Sequence, residues 1–245
     1  MPPLSGMIVA AHQLHYLPWL RYIHKLAAAD IFVVLDNIQF NKNGWQNRNK
    51  IKTPQGAFTV TVPIFHHLGQ TLNEVAIDNK QPWKRKHWGN LFNNYRKAPY
   101  FQEHEPFFKK IYETECEKLN DINYEILFYL VKTLGIKTKI MRSSEIKMRG
   151  EATERLAALC KDLGGKAYLT GAFAAQEYLD ESLFTSQGME VLYQHFECPV
   201  YTQAYPAAGF VPELSIVDIL FNCGPDSLGL LMQGKHYSKP AGEVA

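Results

Sequence analysis

Long apolar runs and an excess of either charge are both missing from this sequence. The longest apolar runs, at residues 31–35 and 214–221, are far shorter than the roughly 20 residues that a membrane-spanning helix needs. Lys and Arg total 26 against 24 Asp and Glu, so no global field draws the chain to nucleic acid or to an anionic membrane. The sequence therefore predicts no membrane span and no nucleic-acid partner.

Paired cysteines and a secretory signal are missing as well. The four cysteines are scattered, and no CxxC or CxxH spacing indicates a metal site or a disulfide framework. The opening residues have neither the basic segment nor the small-residue cleavage site of a signal peptide. We therefore expect a cytoplasmic protein with reduced thiols and no metal centre.

The composition is typical of an ordinary globular protein. Hydrophobic residues make up 46% and charged residues 20% of the 245 residues. This length is somewhat above the usual prior of about 100–200 residues for one domain. We predict a single α/β domain over residues 1–245, with a helical subdomain at about 80–135.

Short apolar runs alternate with amphipathic segments along the chain. Strands predicted at 6–11 and 31–36 flank a helix at 20–30, and such units form parallel sheets. Alternation around a turn at 54–56 predicts a β-hairpin over 46–64. These elements predict an α/β fold with a Rossmann-like, mostly parallel sheet, a β-hairpin and a helical insertion. The other predicted elements are helices at 82–97, 104–117, 121–134, 152–163, 172–179 and 214–224, and strands at 136–141, 167–171 and 189–196.

Polar residues follow the first predicted strand, where parallel sheets place their ligand crevice. His12, Gln13 and His15 lie at this turn, and the start of the next helix favours an anion beside them. The alternative is that one histidine caps the helix and the other is a buried core residue. Two local ligands without a third make a zinc site improbable on spacing alone.

A polar loop, 36-DNIQFNKNGWQNRNK-50, follows the second predicted strand. Lys42 and Arg48 are suited to pairing with phosphates, and Asp36 to holding an amine or a sugar hydroxyl. The alternative is a solvated loop that leads into the hairpin. The residues of this loop and of the later strand end that we predict to bind substrate, besides Asp36, are Gln39, Lys42, Trp45, Arg48, Thr170 and Gly171.

Basic and aromatic residues mix at 82–90, a pattern that can bind nucleic acid. One helical turn without a wider positive balance is better interpreted as a solvated helix face. Within it, His87 is a candidate for reaching the substrate pocket.

The predicted helix at 214–224 has a candidate cap, Ser215, at its start and a cysteine, Cys223, at its end. Cys223 is a candidate nucleophile, although most lone cysteines are small core residues. Ser215 and Asp218 have the spacing of a helix cap followed by an acidic residue three positions later, so we predict that capping explains both.

The run 12-HQLHYLPWLRYIHKLAAADIFVVLDNIQFNKNGWQNRNKIKTPQG-56 resembles the opening of the WbqC-like proteins, which are encoded in bacterial surface-polysaccharide gene clusters. The similarity continues through 83-WKRKH-87, 154-ERLAALCKDLGGKAYLTG-171, 178-YLDESLF-184 and 210-FVPELSIVDILFNCGP-225. The family usually opens with His-Gln-Pro-Asn-Tyr, and Leu14 and His15 replace the Pro and Asn here. The resemblance implies an enzyme that modifies amino sugars or other amine-bearing metabolites, and it adds Tyr16 to the predicted substrate-binding residues.

The layout of strand, His-x-x-His and helix is also similar to that of pantothenate synthetases and related nucleotidylyltransferases. Those enzymes hold ATP phosphates with a His-x-Gly-His turn, in which Leu14 replaces the glycine here. The stretch 142-RSSEIKMR-149 is similar to their second phosphate loop. This second resemblance implies use of ATP.

Amide-forming transfer of an acyl or aminoacyl group onto an amine is the leading hypothesis. His12 is then the general base or a phosphate ligand, Asp36 orients the amine, and Cys223 is the candidate acyl carrier. Two alternatives remain: ATP-dependent nucleotidyl transfer or adenylate-forming ligation, and a non-catalytic binding protein in surface-polysaccharide assembly. The corresponding donors are an acyl thioester or ATP with Mg²⁺, and the expected partners are small-molecule substrates, with a carrier protein in one version.

Overall fold

A computed structural model describes residues 6–171 and 179–239 of the chain. The predicted helix at 172–179 lies almost entirely outside the described residues. The strands are β1 (Ile8–Gln13), β2 (Ile31–Leu35), β3 (Arg48–Thr53), β4 (Gly56–Thr61), β5 (Ile64–Phe65), β6 (Ala76–Ile77), β7 (Lys139–Arg142), β8 (Ala167–Thr170), β9 (Glu190–Gln194) and β10 (Tyr237–Ser238). The α-helices are α1 (Leu20–Ala27), α2 (Trp83–Tyr95), α3 (Phe101–Glu113), α4 (Leu119–Thr133), α5 (Ala152–Asp162), α6 (Ser182–Thr185), α7 (Ile216–Cys223) and α8 (Ser227–Leu231).

The central sheet has six strands in the order β10-β9-β8-β1-β2-β7. All neighbours are parallel except β10, which is antiparallel to β9. This confirms the predicted α/β fold with a Rossmann-like, mostly parallel sheet. The chain moves from β1 outward through β2 to β7 and then returns to the other side of β1 with β8, so the order reverses between β1 and β8. In open α/β sheets, ligands bind at such a reversal, outside the carboxyl ends of the strands.

The predicted hairpin and helical block are also present. Strands β3 and β4 pair antiparallel from Arg48 with Thr61 to Thr53 with Gly56, which places the turn at 54–55. Helices α2, α3 and α4 fill residues 83–133. None of the helices in the described part of the chain is long and apolar enough to cross a membrane.

The apolar residues of the sheet face two separate clusters, because successive side chains of a strand point to opposite faces. Val9 and Ala11 of β1 belong to the smaller cluster with α5 and α6. Ile8 and Ala10 belong to the larger cluster, which runs without a break through α1, the helical block and α7. His12 points to the same face as Ile8 and Ala10 and therefore lies on the α1 side of the sheet.

The predicted end of the first strand and the predicted role of Asp218 were wrong. β1 begins at Ile8 and runs to Gln13, so His12 and Gln13 are its last two residues and do not follow it. Ser215 does cap α7, accepting from the Val217 amide at 3.4 Å, but Asp218 takes no part in the cap. The Asp218 carboxylate is instead buried and accepts from the hydroxyls of Tyr95 and Tyr201, each at 2.8 Å.

Candidate functional site

The candidate site lies at the carboxyl end of β1, where the strand order reverses. His12 pairs in register with Val34 of β2, and Gln13 with Leu35, so both residues stand at the carboxyl edge of the sheet. The loop from Leu14 to Trp19 then leads from β1 into α1. The histidines identified from the sequence are therefore at the position in the fold that most often binds ligands.

The loop that carries His15 is held by the hairpin. Leu17 adopts a left-handed backbone conformation with φ of 43°, which is unfavourable for a leucine and needs support from its surroundings. The buried Asn49 side chain of β3 donates to the Leu17 carbonyl at 2.6 Å and to the Tyr16 carbonyl at 3.4 Å. The Leu20 amide donates to the Leu214 carbonyl, so the start of α1 faces the segment before α7. The predicted use of this helix start as the anion site is not supported.

Three rings meet directly beyond the end of β1. The centroids of His12 and His15 are 4.7 Å apart, those of His12 and Tyr22 are 5.2 Å apart, and those of His15 and Tyr22 are 5.0 Å apart. His15 and Tyr22 are buried, whereas His12 keeps part of its surface accessible. Tyr22 belongs to α1. The sequence predicted no role for Tyr22 in the site, because its position matches the buried stripe of an amphipathic helix.

Both histidines are neutral at physiological pH. Burial, followed by the nearby Lys25 charge, lowers the pKa of His12 to about 3. Burial, His12 and Lys25 together lower the pKa of His15 well below its ordinary value. The His12 Nδ1 lies 3.2 Å from the Gln13 carbonyl oxygen, which can only accept. Nδ1 therefore carries the ring hydrogen, and the lone pair of Nε2 is free to take a proton.

Lys25 is a buried lysine beside these rings. Its side chain is 5% exposed, and its ammonium donates to the Ala11 carbonyl, one residue before His12, at 2.9 Å. No Asp or Glu among residues 6–171 and 179–239 forms an ion pair with it. Burial lowers the pKa of Lys25 to about 8. The sequence predicted no role for Lys25, since a lysine on a short amphipathic helix usually faces solvent.

Buried polar atoms without a hydrogen-bond partner collect in this region. In the described part of the chain, five of them belong to residues of α1, α4 and the two loops that meet here: His15 Nδ1, Tyr22 Oη, Gln46 Oε1, Asn120 Oδ1 and Asn123 Oδ1. Leaving a buried polar atom unpaired costs about 1–3 kcal/mol, so folded proteins keep few of them. Such a concentration indicates groups that a ligand or water satisfies.

Helix α4 connects the helical block to the site. Asn120 donates to the Asp36 carbonyl at 3.2 Å, and Asn123 donates to the Gln46 carbonyl at 2.8 Å. The two asparagines are three residues apart and so share one face of α4. Both were missed from the sequence, although two buried amides within an apolar helical stripe are a usable signal.

Asp36 is buried, and protein donors occupy both of its oxygens. Oδ1 accepts from Ser143 Oγ and the Ser144 amide, both at 2.9 Å. Oδ2 accepts from Ser144 Oγ at 2.7 Å and from Tyr124 at 3.1 Å. The prediction that Asp36 orients an amine is therefore not supported, because the carboxylate has no acceptor position left for one. Asp36 instead fixes the segment after β7 against β2.

The remaining loop residues form a polar rim. The Gln46 amide donates to Gln13 Oε1, and the Gln13 amide lies 3.5 Å from the Gln39 carbonyl. Trp45 packs against Trp19 with ring centroids 5.2 Å apart. Arg48 donates to the carbonyls of Asn43 and Gly44, so its guanidinium is largely used by its own loop. Lys42 is exposed on this loop, and its predicted contact with phosphate stays a prediction.

Tyr16 and His87 contact each other and not the crevice. The Tyr16 hydroxyl is 2.8 Å from His87 Nδ1 and 2.6 Å from the Tyr112 hydroxyl, and all three side chains are buried. His87 also has a hydrogen bond with the Thr61 backbone. Substrate binding by Tyr16 and His87 is therefore not supported, and the pair instead attaches the β1–α1 loop to the helical block.

Cys223 also lies apart from the histidines. It lines a surface cleft of about 700 Å³ together with Tyr100, Tyr201 and Asn222, and none of the site residues described above lines that cleft. Burial, with Asp218 and Asp226, raises the pKa of the Cys223 thiol, so the thiolate is disfavoured. The structure therefore does not support Cys223 as a nucleophile or acyl carrier.

The two residues predicted from β8 stand on the other side of the strand reversal. Thr170 is buried at the end of β8 and pairs with Tyr193, and Gly171 follows it directly. Their predicted contact with substrate stays a prediction. Nowhere in the described ranges do three or more His, Cys, Asp or Glu side chains come together as a metal site would require.

The chain is similar to a known protein family and to a protein of Mycobacterium tuberculosis. The sequence model of the WbqC-like protein family matches residues 13–229, which includes every element of the site except His12. A full-length relative is the uncharacterized protein Rv1507c of Mycobacterium tuberculosis, which is 34% identical over 226 residues. The match covers 89% of this chain and 95% of that protein. No solved structure matches the chain significantly.

Proposed function

This chain belongs to the WbqC-like protein family, and we propose that it is an enzyme that transfers an acyl or aminoacyl group onto an amine. The acceptor is a small metabolite or an amino sugar carried on a nucleotide, and the product contains a new amide bond. His12 is the general base of this reaction.

One observation carries the proposal. His12 Nε2 is a partly accessible, unprotonated nitrogen at the strand reversal, with its tautomer set by the Gln13 carbonyl. Beside it stand polar atoms of His15 and Tyr22 that no described protein group satisfies. A positioned imidazole with a free lone pair next to unsatisfied polar atoms is an arrangement that general-base catalysis needs.

The chemistry follows from that nitrogen. The amine nitrogen attacks the acyl carbon and forms the C–N bond, while His12 Nε2 takes the proton that the amine loses. The bond from the acyl carbon to its leaving group breaks, and the proton passes from His12 to the departing thiolate or phosphate.

Nucleotidyl transfer is the second candidate, and the strand order favours it. The reversal between β1 and β8 is the position at which Rossmann-like sheets bind nucleotides. In this version the same crevice holds the phosphates of ATP with Mg²⁺, and the reaction releases pyrophosphate. Only the fold supports nucleotidyl transfer, so nucleotidyl transfer is the second candidate.

A ligand screen followed by one substitution tests the proposal. Acyl-CoA thioesters, sugar nucleotides and ATP with Mg²⁺ are each added to the protein while its thermal unfolding is measured. A ligand at a hundred times its dissociation constant stabilises the folded state by about 2.7 kcal/mol, which raises the Tm by several degrees. Stabilisation by a thioester or sugar nucleotide favours acyl transfer, stabilisation by ATP alone favours nucleotidyl transfer, and no stabilisation favours a non-catalytic binding protein.

For the active pair of substrates, His12→Ala is expected to lower kcat by about 10²–10⁴-fold, the usual contribution of a general base. His12→Gln keeps the size of the ring and is expected to lose as much. His195→Ala is the matched control, because His195 is half-exposed and contacts Glu197 and not the site. Activity of His12→Ala within tenfold of wild type removes His12 from the chemistry.

A further inference from the structure

Lys25 is the group in the site that the proposed reaction does not use. Its ammonium is buried and donates one hydrogen bond to the Ala11 carbonyl. An ammonium has three hydrogens to donate, and no second acceptor lies within hydrogen-bond distance among the described residues. A buried charge without a partner is costly to keep, so proteins keep one where a ligand supplies the opposite charge.

The neighbours of Lys25 are unable to compensate its charge. His12 and His15 are neutral, and Lys25 itself helps to keep them so. Tyr22 remains a neutral phenol, since burial raises its pKa. The Asp36 carboxylate is already bonded to Ser143, Ser144 and Tyr124. The local field at the end of β1 is therefore positive, although the whole chain carries only +2.

We infer that Lys25, His15 Nδ1 and the Tyr22 hydroxyl form a binding site for an anionic group of the substrate, a carboxylate or a phosphate. The inference rests on the proposed function only in that both use the same crevice. The donors are of the right kind: an ammonium, a phenol, and an imidazole whose Nδ1 is free to carry its hydrogen. The substrate class is accordingly an anionic molecule, such as an amino acid, an acyl phosphate or a nucleotide sugar, and not a neutral amine.

The anion also affects His12. Lys25 is one of the causes that lower the pKa of His12, so a negative charge placed against Lys25 opposes that effect and makes Nε2 more basic. The titratable groups that surround this point are His12 at the end of β1, His15 in the loop that follows, Tyr22 on α1, Tyr124 on α4 and Asp36 after β2. Of these, Tyr124 and Asp36 are bonded to each other. The site thus activates its base when the correct, charged substrate is bound.

Binding of simple anions tests the inference without any turnover. Isothermal titration calorimetry with inorganic phosphate and with acetate is carried out on the wild type, Lys25→Met and Lys109→Met. We expect Lys25→Met to weaken binding at least tenfold and Lys109→Met, which removes an exposed lysine of α3 that contacts Glu113, to leave binding within twofold. Stronger binding of phosphate indicates a phosphorylated substrate, and stronger binding of acetate indicates a carboxylate.

A second variant and a spectroscopic measurement keep the test independent of folding. Tyr22→Phe removes one oxygen and keeps the ring, and it is expected to weaken binding three- to tenfold. In NMR spectra the His12 ring is expected to titrate at least one pH unit higher with saturating phosphate than without it. Unchanged binding in Lys25→Met, or an unchanged His12 titration with phosphate bound, overturns the inference.

The two proposals fail in different ways. If His12→Ala keeps its activity while Lys25→Met loses phosphate, the proposed role of His12 is wrong and the anion site stands. If His12→Ala is inactive while Lys25→Met binds phosphate normally, the anion site is wrong and the proposed function stands. If neither anion binds the wild type, the inference is overturned whatever the activity of His12→Ala.

Discussion

Two buried lysines, Lys25 and Lys52, give this molecule two polar clusters that differ in one respect. Both side chains are almost fully removed from solvent, at 5% and 0% exposed. Lys52 Nζ donates to Gln203 Oε1 at 3.0 Å and to the Gly209 carbonyl, and its charge favours the carboxylate form of Asp218. Lys25 has one carbonyl partner and no carboxylate among the described residues.

The cluster around Lys52 satisfies itself. Asp218 accepts from Tyr95 and Tyr201, and the Tyr95 hydroxyl accepts in turn from the Lys52 amide at 2.8 Å. Gln203 donates to the Val211 carbonyl and accepts from the Val211 amide. No atom of these residues remains unpaired. A complete network of this kind stabilises a structure, here by tying the hairpin to α7, and offers a ligand nothing.

The cluster around Lys25, by contrast, contains buried polar atoms without a hydrogen-bond partner. His15 and Tyr22 each have a buried unpaired atom, and their ring centroids are 5.0 Å apart. The Lys25 charge acts on both His12 and His15. Burial does not distinguish the two clusters, and both contain lysine, tyrosine and amide side chains. What distinguishes them is whether the protein supplies every partner, and that criterion separates a structural network from a binding site.

The largest predicted difference between the two clusters is in how much each lysine contributes to the free energy of unfolding. Lys52→Met is expected to lower the free energy of unfolding by about 3 kcal/mol, because it removes the charge that favours the Asp218 carboxylate and takes a donor away from Gln203 Oε1 and the Gly209 carbonyl. Lys25→Met is expected to stay within about 1 kcal/mol of the wild type or to stabilise, because it removes a buried charge that has no partner. Urea unfolding followed by circular dichroism measures both. Equal destabilisation by the two substitutions would make Lys25 a structural residue and end the distinction.

The two clusters are also expected to change the free energy of unfolding differently when the pH is lowered, by a somewhat smaller amount. The folded protein keeps His12 neutral down to a pKa of about 3, while the unfolded chain binds a proton near the ordinary value of 6.5. Below that value the unfolded state holds more protons, so stability is full at pH 7 and falls as the pH decreases. Between pH 7 and pH 5 this one residue removes about 2 kcal/mol, at about 1.4 kcal/mol per pH unit once the unfolded histidine is protonated.

His12→Gln is the variant that isolates this effect. Its free energy of unfolding is expected to fall by about 2 kcal/mol less than that of the wild type between pH 7 and pH 5. The Asp218 cluster acts in the opposite sense, because burial raises the pKa of that carboxyl and the folded state then holds the proton more tightly. Asp218→Asn is therefore expected to fall more steeply with acidification than the wild type. An identical slope in wild type and His12→Gln would show that His12 is not held neutral.

The sequence predicted the fold much better than the site. Buried parallel strands are short apolar runs, and the hairpin and the helices carry their own periodicity, so local patterns were sufficient. His12 was found because polar residues at the end of a buried strand are a local signal as well. Tyr22 was missed because its position matches the buried stripe of an amphipathic helix, and Lys25 was missed because a lysine on such a helix usually faces solvent, whereas here it is buried.

The predictions that failed also depended on distant contacts. Tyr16 and His87 have residue types suited to a site, but they are 71 positions apart and use their polar atoms on each other. Asp36 was correctly placed at a strand end, yet two serines after β7 occupy its oxygens. Residue type and position in a strand indicate which groups can act. Which of them remain unpaired is decided by tertiary contacts.

The smallest predicted effect concerns Asp36, which by the same criterion belongs with the satisfied groups. Ser143 is buried and bonds to Asp36 and Asn37, whereas Ser144 is exposed and bonds to Asp36 alone. Ser143→Ala is expected to lower the free energy of unfolding by about 1–2 kcal/mol, and Ser144→Ala by less than about 1 kcal/mol. Both should bind phosphate within twofold of wild type in the calorimetric titration. A tenfold loss of phosphate affinity in Ser143→Ala, without a matching loss of stability, would move Asp36 from the structural group into the binding site.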